Sequence, residues 1–335
     1  MLPSLASQVP SDRRAETGER QWRRFAATYL AVFFGCLSAL FALLILVDPF
    51  DSGRSPFSIA AGVSDGDSRF ARASNGRDPQ FDAAIFGNSR GIALSPARLS
   101  AASGLAFVQM TVPGTTAREQ LALMRWFIEH HPRIGALVLV ADEVWCTQDP
   151  SLPTLRPFPL WLYGSWLDYL PHLVSRYAVD RAGRRIGLAL GLTRRSDPAG
   201  FDADVVAVEH AFDPAAVRYA PLVPPPSAIA GALPFPAIDR FAAVIAALPD
   251  VPVVVLAPPA YYTALPIAGS PAALQASQCQ AAFAQLLSRR RKGTFLDFQL
   301  ADDMTRNPEN FLDYVHYKVK FAQLIESRIA ASLNN

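Results

Sequence analysis

Charged residues are scarce in this chain: 18% of its 335 residues are Asp, Glu, Lys or Arg, whereas 51% are apolar. The 31 basic and 29 acidic residues nearly cancel, which leaves a formal net charge of +2. The large apolar fraction excludes a disordered chain, because it supplies enough material for a sizeable core. No basic stripe of the kind that binds nucleic acid is present, so no nucleic-acid partner is expected.

Cysteine and histidine are also few, with three Cys and five His in the whole chain. No group of them has the spacing of metal ligands, so the sequence predicts no metal site and no cofactor. No internal repeat is visible either. The chain length allows one large or two small domains.

One long apolar run, residues 25–47, contains no charged residue. As a helix it would extend roughly 34 Å at about 1.5 Å per residue, which is enough to cross a bilayer core. A buried core helix is the alternative, but the run has no polar face. It is longer than the apolar part of a signal peptide and lacks a small-residue cleavage site, so we expect a retained anchor.

The charges beside this run predict its orientation. Five arginines precede it and only Arg54 follows closely; the five are Arg13, Arg14, Arg20, Arg23 and Arg24. Since Lys and Arg remain on the cytoplasmic side, residues 1–24 are expected to be a cytoplasmic tail and residues 48–335 to lie outside the inner membrane, in the periplasm. In that compartment disulfides persist, and Cys146 and Cys279 are predicted to pair, with two buried free thiols as the alternative.

The remainder of the chain alternates predicted strands and helices, which is typical of an α/β fold with a parallel sheet. Gly-, Ser- and Asp-rich residues 48–80 are expected to form a linker, and residues 81–335 one α/β domain. Strands are predicted at about 82–87, 104–110, 134–142, 251–259 and 293–298, and helices at 115–132, 271–291 and 314–333.

Residues 143–235 interrupt this alternation and are predicted to be an insertion over the carboxyl edge of the sheet. The insertion is rich in aromatic residues, which include Phe158, Trp161, Tyr163, Trp166 and Tyr169. They would form either the insertion's own small core or the lining of a substrate groove.

The first strand ends in an unusual turn, "AAIFGNSRG", residues 83–91. Ser89 in this turn has two interpretations. It caps a helix, since Ser is a preferred N-cap residue. Alternatively, it is a nucleophile at the carboxyl edge of the sheet, where open α/β folds place their sites.

A serine nucleophile needs a base, and the base needs a carboxylate that orients it. His316 has such a partner in "NFLDYVHYK", because Asp313 precedes it by three residues at the predicted start of the last helix. Asp302 and Asp303 are alternative partners. The other histidines have weaker contexts: His130 and His131 end a predicted helix, and His172 and His210 lie in the insertion.

Gly-x-Ser after the first strand and Asp-x-x-His near the end of the domain together resemble the SGNH (GDSL-like) hydrolase superfamily. The resemblance covers residues 80–335 and implies a three-layer α/β/α sandwich of the flavodoxin-like type. It implies Ser89 as nucleophile, Asp313 as orienting carboxylate and His316 as base. "VPGTTARE" resembles the family's glycine loop, which implies an oxyanion hole made by the N–H groups of Ser89 and Gly114.

The family's third block normally supplies an Asn to the oxyanion, and this chain departs from that pattern. The matching segment, "VADEVWC", has Asp142 and Glu143 and no Asn. Loss of one such donor costs roughly 10²–10³ in rate. Asn88 or Arg90 would have to compensate, and both are expected near the site together with Asp142.

Single-anchor SGNH-like proteins of alginate O-acetylation and teichoic-acid D-alanylation share this departure and resemble the chain more closely. They work beside membrane-bound O-acyltransferases. The resemblance implies a serine O-acyltransferase or esterase that modifies a cell-surface or exported polysaccharide, with an acyl donor, a glycan acceptor and such an acyltransferase as partners. A chemically inactive glycan-binding or scaffold subunit is the alternative.

Two further hypotheses have less support. A literal Gly-Asp-Ser occurs at residues 66–68, but Ser68 follows a poor strand and is expected in the linker. A phosphate-binding loop at "GNSRG" lacks the required glycine spacing and lysine.

Overall fold

The computed structural model describes residues 11–64, 66–152, 156–206, 210–215 and 233–334. In this part of the chain five strands form one parallel sheet in the order β2-β1-β3-β4-β5. The strands are β1 (Ala83–Phe86), β2 (Phe107–Gln109), β3 (Ala136–Val140), β4 (Val253–Ala257) and β5 (Gly293–Asp297). The α/β class predicted from the alternating pattern is confirmed.

Twelve α-helices accompany the sheet in the described ranges. They are α1 (Ser11–Val47), α2 (Ser68–Asn75), α3 (Pro96–Ser103), α4 (Ala117–His130), α5 (Val144–Thr147), α6 (Trp166–Leu173), α7 (Arg176–Ala189), α8 (Ala203–Val206), α9 (Pro236–Ala246), α10 (Pro271–Ser288), α11 (Asp303–Arg306) and α12 (Val319–Leu333).

Helices cover both faces of the sheet, so the strands are apolar throughout rather than alternately polar. Ala84 and Phe86 of β1 face one core, which contains residues of α4, α9 and α10. Ala83 and Ile85 face the other core, which contains residues of α3 and α12. The domain therefore has three layers, as the family resemblance implies.

The N-terminal helix α1 includes a stretch, Gly18–Val47, that is long and apolar enough to cross a membrane, and an 18-residue window within it has a mean hydropathy of 2.8. Most of this stretch is exposed, but Leu44 and Val47 at its end are buried against the domain. Residues 11–24 of the predicted tail belong to the same helix, whereas residues 1–10 lie outside the described residues.

Residues 48–80 differ from the predicted linker, because much of the segment is folded into the domain. Phe50 and Ala73 are buried in the core, and α2 lies within the segment. Asp51 accepts hydrogen bonds from Ser74 Oγ (2.6 Å) and from the Gly62 N–H (2.9 Å). The Gly, Ser and Asp residues that suggested a loop make these buried turns.

Residues 153–155, 207–209 and 216–232 of the predicted insertion fall outside the described residues. Trp161 packs against Phe50 (5.3 Å between ring centroids), and Tyr169 packs against the same ring (6.2 Å). This favours the small-core interpretation of the aromatic residues. That core is shared with Phe50, which follows α1, and with Phe70 of α2.

Cys146 of α5 and Cys279 of α10 form a disulfide with an S–S distance of 2.07 Å. The predicted pairing is therefore present in the structure. Cys36 in α1 is free and exposed.

Candidate active site

The turn after β1 is shaped by Gly87 and Asn88. Gly87 has a φ of +152°, and a Cβ there would lie 2.9 Å from Val140 Cβ of β3, so only glycine allows this close approach. Asn88 Oδ1 accepts a hydrogen bond from the Arg90 N–H at 3.0 Å and caps a single 3₁₀ turn, Ser89–Gly91. The capping residue is thus Asn88, and Ser89 is free for another role.

Ser89 is the one residue between positions 83 and 91 that is not buried. Its hydroxyl therefore reaches the surface from a rigid, buried support at the carboxyl end of a central strand. This is the position where open parallel sheets place their ligands.

The segment that carries His316 is a tight turn, whereas the sequence predicted a helix from residue 314. The last helix, α12, begins at Val319. Before it, Phe311 and Tyr317 form an antiparallel bridge. Asp313 Oδ1 accepts hydrogen bonds from the N–H groups of Val315 and His316, both at 2.8 Å, which closes the turn.

The two ends of the domain meet at this point. His316 Nδ1 donates to Asp313 Oδ2 at 2.7 Å, and Ser89 Oγ donates to His316 Nε2 at 2.8 Å. We call these three residues the serine relay. With Nδ1 protonated toward Asp313, Nε2 is an acceptor, which is the tautomer that a general base requires.

The ion pair between Arg98 and Glu326 fixes the two halves of the relay relative to each other. Arg98 of α3 binds both carboxylate oxygens of Glu326 of α12, at 2.6 and 2.8 Å. The Ser95 N–H also donates to Glu326 at 2.6 Å. This bidentate contact links the segment after Ser89 to the helix that follows His316.

The surroundings of Asp313 lower the pKa of its carboxyl. Partial burial alone would raise its pKa, but the hydrogen bonds from the His316 ring and from the Val315 and His316 N–H groups outweigh this effect and lower the pKa to about 2. Asp313 therefore carries a negative charge at neutral pH and stabilises a protonated His316 ring.

The two N–H groups expected to form an oxyanion hole lie in adjacent loops. Val112 N–H donates to Gly87 O at 3.0 Å, so the loop that contains Gly114 follows the serine turn closely. Gly114 has a φ of +71°, a left-handed conformation that suits glycine. Within the described residues neither the Ser89 N–H nor the Gly114 N–H has an acceptor.

Asn88 and Arg90, the two residues that flank Ser89, are buried and turned toward β3 and β4. Asn88 Nδ2 donates to Asp142 Oδ2 at 2.5 Å. Arg90 binds Glu143 Oε2 at 2.8 Å and the carbonyl oxygens of Pro258 and Pro259 at 3.0 and 2.9 Å. We call Asn88, Arg90, Asp142 and Glu143 the buried network. Asn88 Nδ2 and both terminal nitrogens of Arg90 are thus engaged at the ends of β3 and β4, whereas Arg90 Nε has no hydrogen-bond partner among the described residues.

Asp142 in this network has an environment opposite to that of Asp313. It is 3% exposed, and its Oδ1 has no hydrogen-bond partner among the described residues. Burial, followed by the nearby Glu143 charge, raises its pKa to about 7, against the opposing effects of Arg90 and Asn88.

Two cavities flank Arg90. A cavity of about 250 Å³ contains Ser89 and His316 and is lined further by Pro113, Leu312 and Tyr317. A larger, mainly apolar cavity of about 440 Å³ lies on the other side and includes Asp142, Glu143 and both bridged cysteines. None of the insertion aromatics described above lines either cavity.

The rejected candidates have other roles. Ser68 starts α2, so it lies in a helix and not in the predicted linker loop, and it does not line the Ser89 cavity. Asp302 caps α11 through the Thr305 N–H. His130 and His131 bond the main-chain carbonyls of Trp126 and Phe127 at 2.8 Å. In the described part of the chain, no group of three or more His, Cys, Asp or Glu residues could hold a metal ion.

Glu143 and Tyr317 are site neighbours that the sequence analysis did not assign to the site. Glu143 could have been found, because it follows the carboxyl end of a predicted central strand. Tyr317 lines the Ser89 cavity directly after His316, and nothing in the sequence pattern distinguishes it from a core tyrosine.

The chain was compared with known proteins in three ways. No family model, no curated protein and no solved structure matches it.

Proposed function

We propose that this protein is a membrane-anchored serine O-acyltransferase or esterase of the SGNH type that modifies an exported or cell-surface polysaccharide. The observation that carries the proposal is the serine relay, in which hydroxyl, imidazole and carboxylate are joined by hydrogen bonds of 2.8 and 2.7 Å. Such a chain is the arrangement that activates a serine for acyl transfer.

In the proposed mechanism, His316 Nε2 takes the Ser89 proton while Oγ bonds to the carbonyl carbon of an acyl donor. The N–H groups of Ser89 and Gly114 stabilise the oxyanion. When the tetrahedral intermediate collapses, the protonated His316 gives its proton to the leaving group. The acyl-enzyme then passes its acyl group to a sugar hydroxyl or to water, with His316 again as base.

The location in this proposal follows from α1 and the arginines before it, and the partners follow from the resemblance to the single-anchor SGNH-like proteins. The proposed topology is a single inner-membrane span over residues 25–47, with the N-terminus cytoplasmic and the domain periplasmic. An anchor there would hold the relay near an acyl donor supplied through the membrane. The proposed partners are that donor, a glycan acceptor and a membrane-bound O-acyltransferase.

Ester hydrolysis tests the proposal. The full chain in detergent micelles is expected to hydrolyse p-nitrophenyl acetate, and the Ser89→Ala variant is not. Ser68→Ala is the matched control, because it removes the serine of the literal Gly-Asp-Ser and should keep the wild-type rate. Equal rates for wild type and Ser89→Ala, or no hydrolysis by either, would contradict an enzymatic role.

A second candidate function, a glycan-binding or scaffold subunit, is favoured by one observation. Asn88 Nδ2 and both terminal nitrogens of Arg90 are engaged at the ends of β3 and β4, so the proposed oxyanion hole depends on two backbone N–H groups. In that function, wild type and Ser89→Ala would bind the polysaccharide equally well.

A further inference from the structure

Helices α6 and α7 form a hairpin that packs against the apolar part of α1. We call Leu173–Val179, where the two helices meet, the α6–α7 junction. A groove of about 210 Å³ separates Leu37, Leu40 and Leu44 of α1 from Val174 and Val179 of the junction. The junction therefore lies beside the middle of the apolar run and not beyond its end.

The charges on α1 limit where a bilayer can lie along it. Glu19, Arg20, Arg23 and Arg24 precede the uncharged residues 25–47. A hydrocarbon core of about 30 Å needs about 20 helical residues. A bilayer that ended at Leu37 would have to contain all four of those charges, so its boundary on the domain side must lie close to Leu44–Val47.

This boundary places the junction inside the hydrocarbon region. Leu40 and Leu37 precede Val47 by seven and ten residues, which corresponds to roughly 10 and 15 Å along a helix. The rest of α7 leads away from this depth. Arg181 lies over the Phe50 ring, 5.9 Å from its centroid, and Arg185 binds Asp51 at 3.2 Å, both beyond the end of α1.

The outer surface of the hairpin carries exposed apolar side chains at and before the junction, and the exposed Asp180–Arg184 ion pair follows the junction on α7. Leu167, Val174 and Val179 are 81%, 59% and 45% exposed. Arg176, also exposed, has a long side chain that can extend to the lipid phosphates while its stem remains among apolar groups. Apolar side chains in contact with a membrane, edged by a basic residue, are the features of an interfacial helix.

We propose that the α6–α7 junction enters the leaflet on the domain side and that its outer face is covered by lipid acyl chains. The inference rests on the proposed membrane anchor. It adds a second, monotopic contact beside α1, which would restrict rotation of the domain and hold the relay in one orientation to the membrane surface.

Depth-dependent fluorescence quenching tests this contact in the full chain. Cys36 is the one free thiol in the described residues, so wild-type protein labelled with a nitrobenzoxadiazole dye reports on α1 itself. In a Cys36→Ser background, Val174→Cys and Val179→Cys place the dye on the junction. Ile267→Cys, at an equally apolar position that is 81% exposed on the loop after β4, is the matched control. The protein is reconstituted alone in phosphatidylcholine vesicles with or without brominated acyl chains.

The expected result is that brominated lipid quenches the dye at 174 and 179 about as strongly as at Cys36, and quenches it much more than at 267. Quenching at Cys36 without quenching at 174 and 179 would overturn the proposed lipid contact and leave the anchor intact. Absence of quenching at Cys36 would instead contradict the anchor on which the inference rests.

Discussion

The serine relay and the buried network start from three consecutive residues, yet their environments are opposite. Ser89 opens to a cavity and meets a histidine 227 positions later in the chain. Asn88 and Arg90, on either side of it, are buried at 7% and 5% exposure and bind the ends of β3 and β4. One turn therefore supplies both the reacting group and its support.

The two carboxylates beside these clusters differ in the same way. The pKa of half-buried Asp313 is lowered to about 2 by its hydrogen bonds, and the pKa of buried Asp142 is raised to about 7 by desolvation and Glu143. Residue type alone therefore does not identify the orienting carboxylate. The hydrogen-bond donors around the carboxylate identify it, and Asp313 has three such donors.

The largest expected effect is on the relay. His316→Ala removes the proton acceptor of Ser89, so we expect hydrolysis of p-nitrophenyl acetate to fall by roughly 10³–10⁶-fold. His130→Ala should retain the wild-type rate, because His130 bonds a main-chain carbonyl on α4. Similar losses in both variants would show that the relay has no special role.

Asp313→Asn should have the next largest effect. The amide cannot stabilise a protonated His316 and favours the wrong tautomer, so we expect kcat to fall by roughly 10²–10⁴-fold. Asp303→Asn is the control for the alternative partner. The assignment of Asp313 is wrong if Asp303→Asn causes the larger loss.

The buried network should affect stability rather than chemistry. Arg90→Met leaves Glu143 and two proline carbonyls without their donor, and we expect it to lower the free energy of unfolding by about 3 kcal/mol. Glu143→Gln should cost about 1 kcal/mol or less, because Glu143 is 40% exposed and Arg90 keeps both carbonyls.

Thermal melting in detergent measures both variants, with Ser89→Ala as a third sample. Ser89→Ala should melt close to the wild type, since its hydroxyl is partly exposed. If Ser89→Ala melted at as low a temperature as Arg90→Met, the serine relay and the buried network would not have separate roles in chemistry and stability.

The most gradual expected effect is the dependence of stability on pH. Asp142 retains its proton in the folded state up to about pH 7, whereas an unfolded Asp loses it near pH 4. The folded state thus binds more protons between these values, and stability should fall as pH rises, by the order of 1 kcal/mol per pH unit. Melting temperatures from pH 5 to 8 should show this slope in wild type and not in Asp142→Asn.

Asp313 should make stability depend on pH in the opposite direction. Its folded pKa of about 2 lies below that of an unfolded Asp, so its contribution is present above about pH 4 and is lost as pH falls toward 2. Asp313→Asn should therefore be less sensitive than wild type to acid in this range. An unchanged acid response would contradict the three hydrogen bonds to this carboxylate.

Much of the fold could be predicted because the strands are continuous apolar runs. Residues of β3 and β4 are buried on both faces, and such runs are typical of central parallel strands. The candidate site followed from two short motifs, Gly-x-Ser after the first strand and Asp-x-x-His near the end of the domain, and from the family that the two together resemble. The disulfide followed from the expected compartment and the small number of cysteines.

Other features depend on tertiary contacts that the sequence does not display. The spacing of Asp313 and His316 suggested a helix, but the bridge between Phe311 and Tyr317 imposes a turn. The Gly, Ser and Asp residues of 48–80 suggested a linker. In the folded state these polar residues bond one another, as Asp51 and Ser74 do, and the segment is part of the domain. The contacts of Asn88 and Arg90 with the ends of β3 and β4 could not be predicted, because these strands are distant from them in sequence.

The central claim is that His316 activates Ser89 as a nucleophile. The most direct measurement is mass spectrometry of the full chain after reaction with a fluorophosphonate, in wild type and in His316→Ala. We expect a phosphonyl adduct on the peptide that contains Ser89 in wild type, and we expect this adduct to be lost in His316→Ala. An adduct at Ser68, no adduct at all, or equal labelling of Ser89 in both proteins would contradict it.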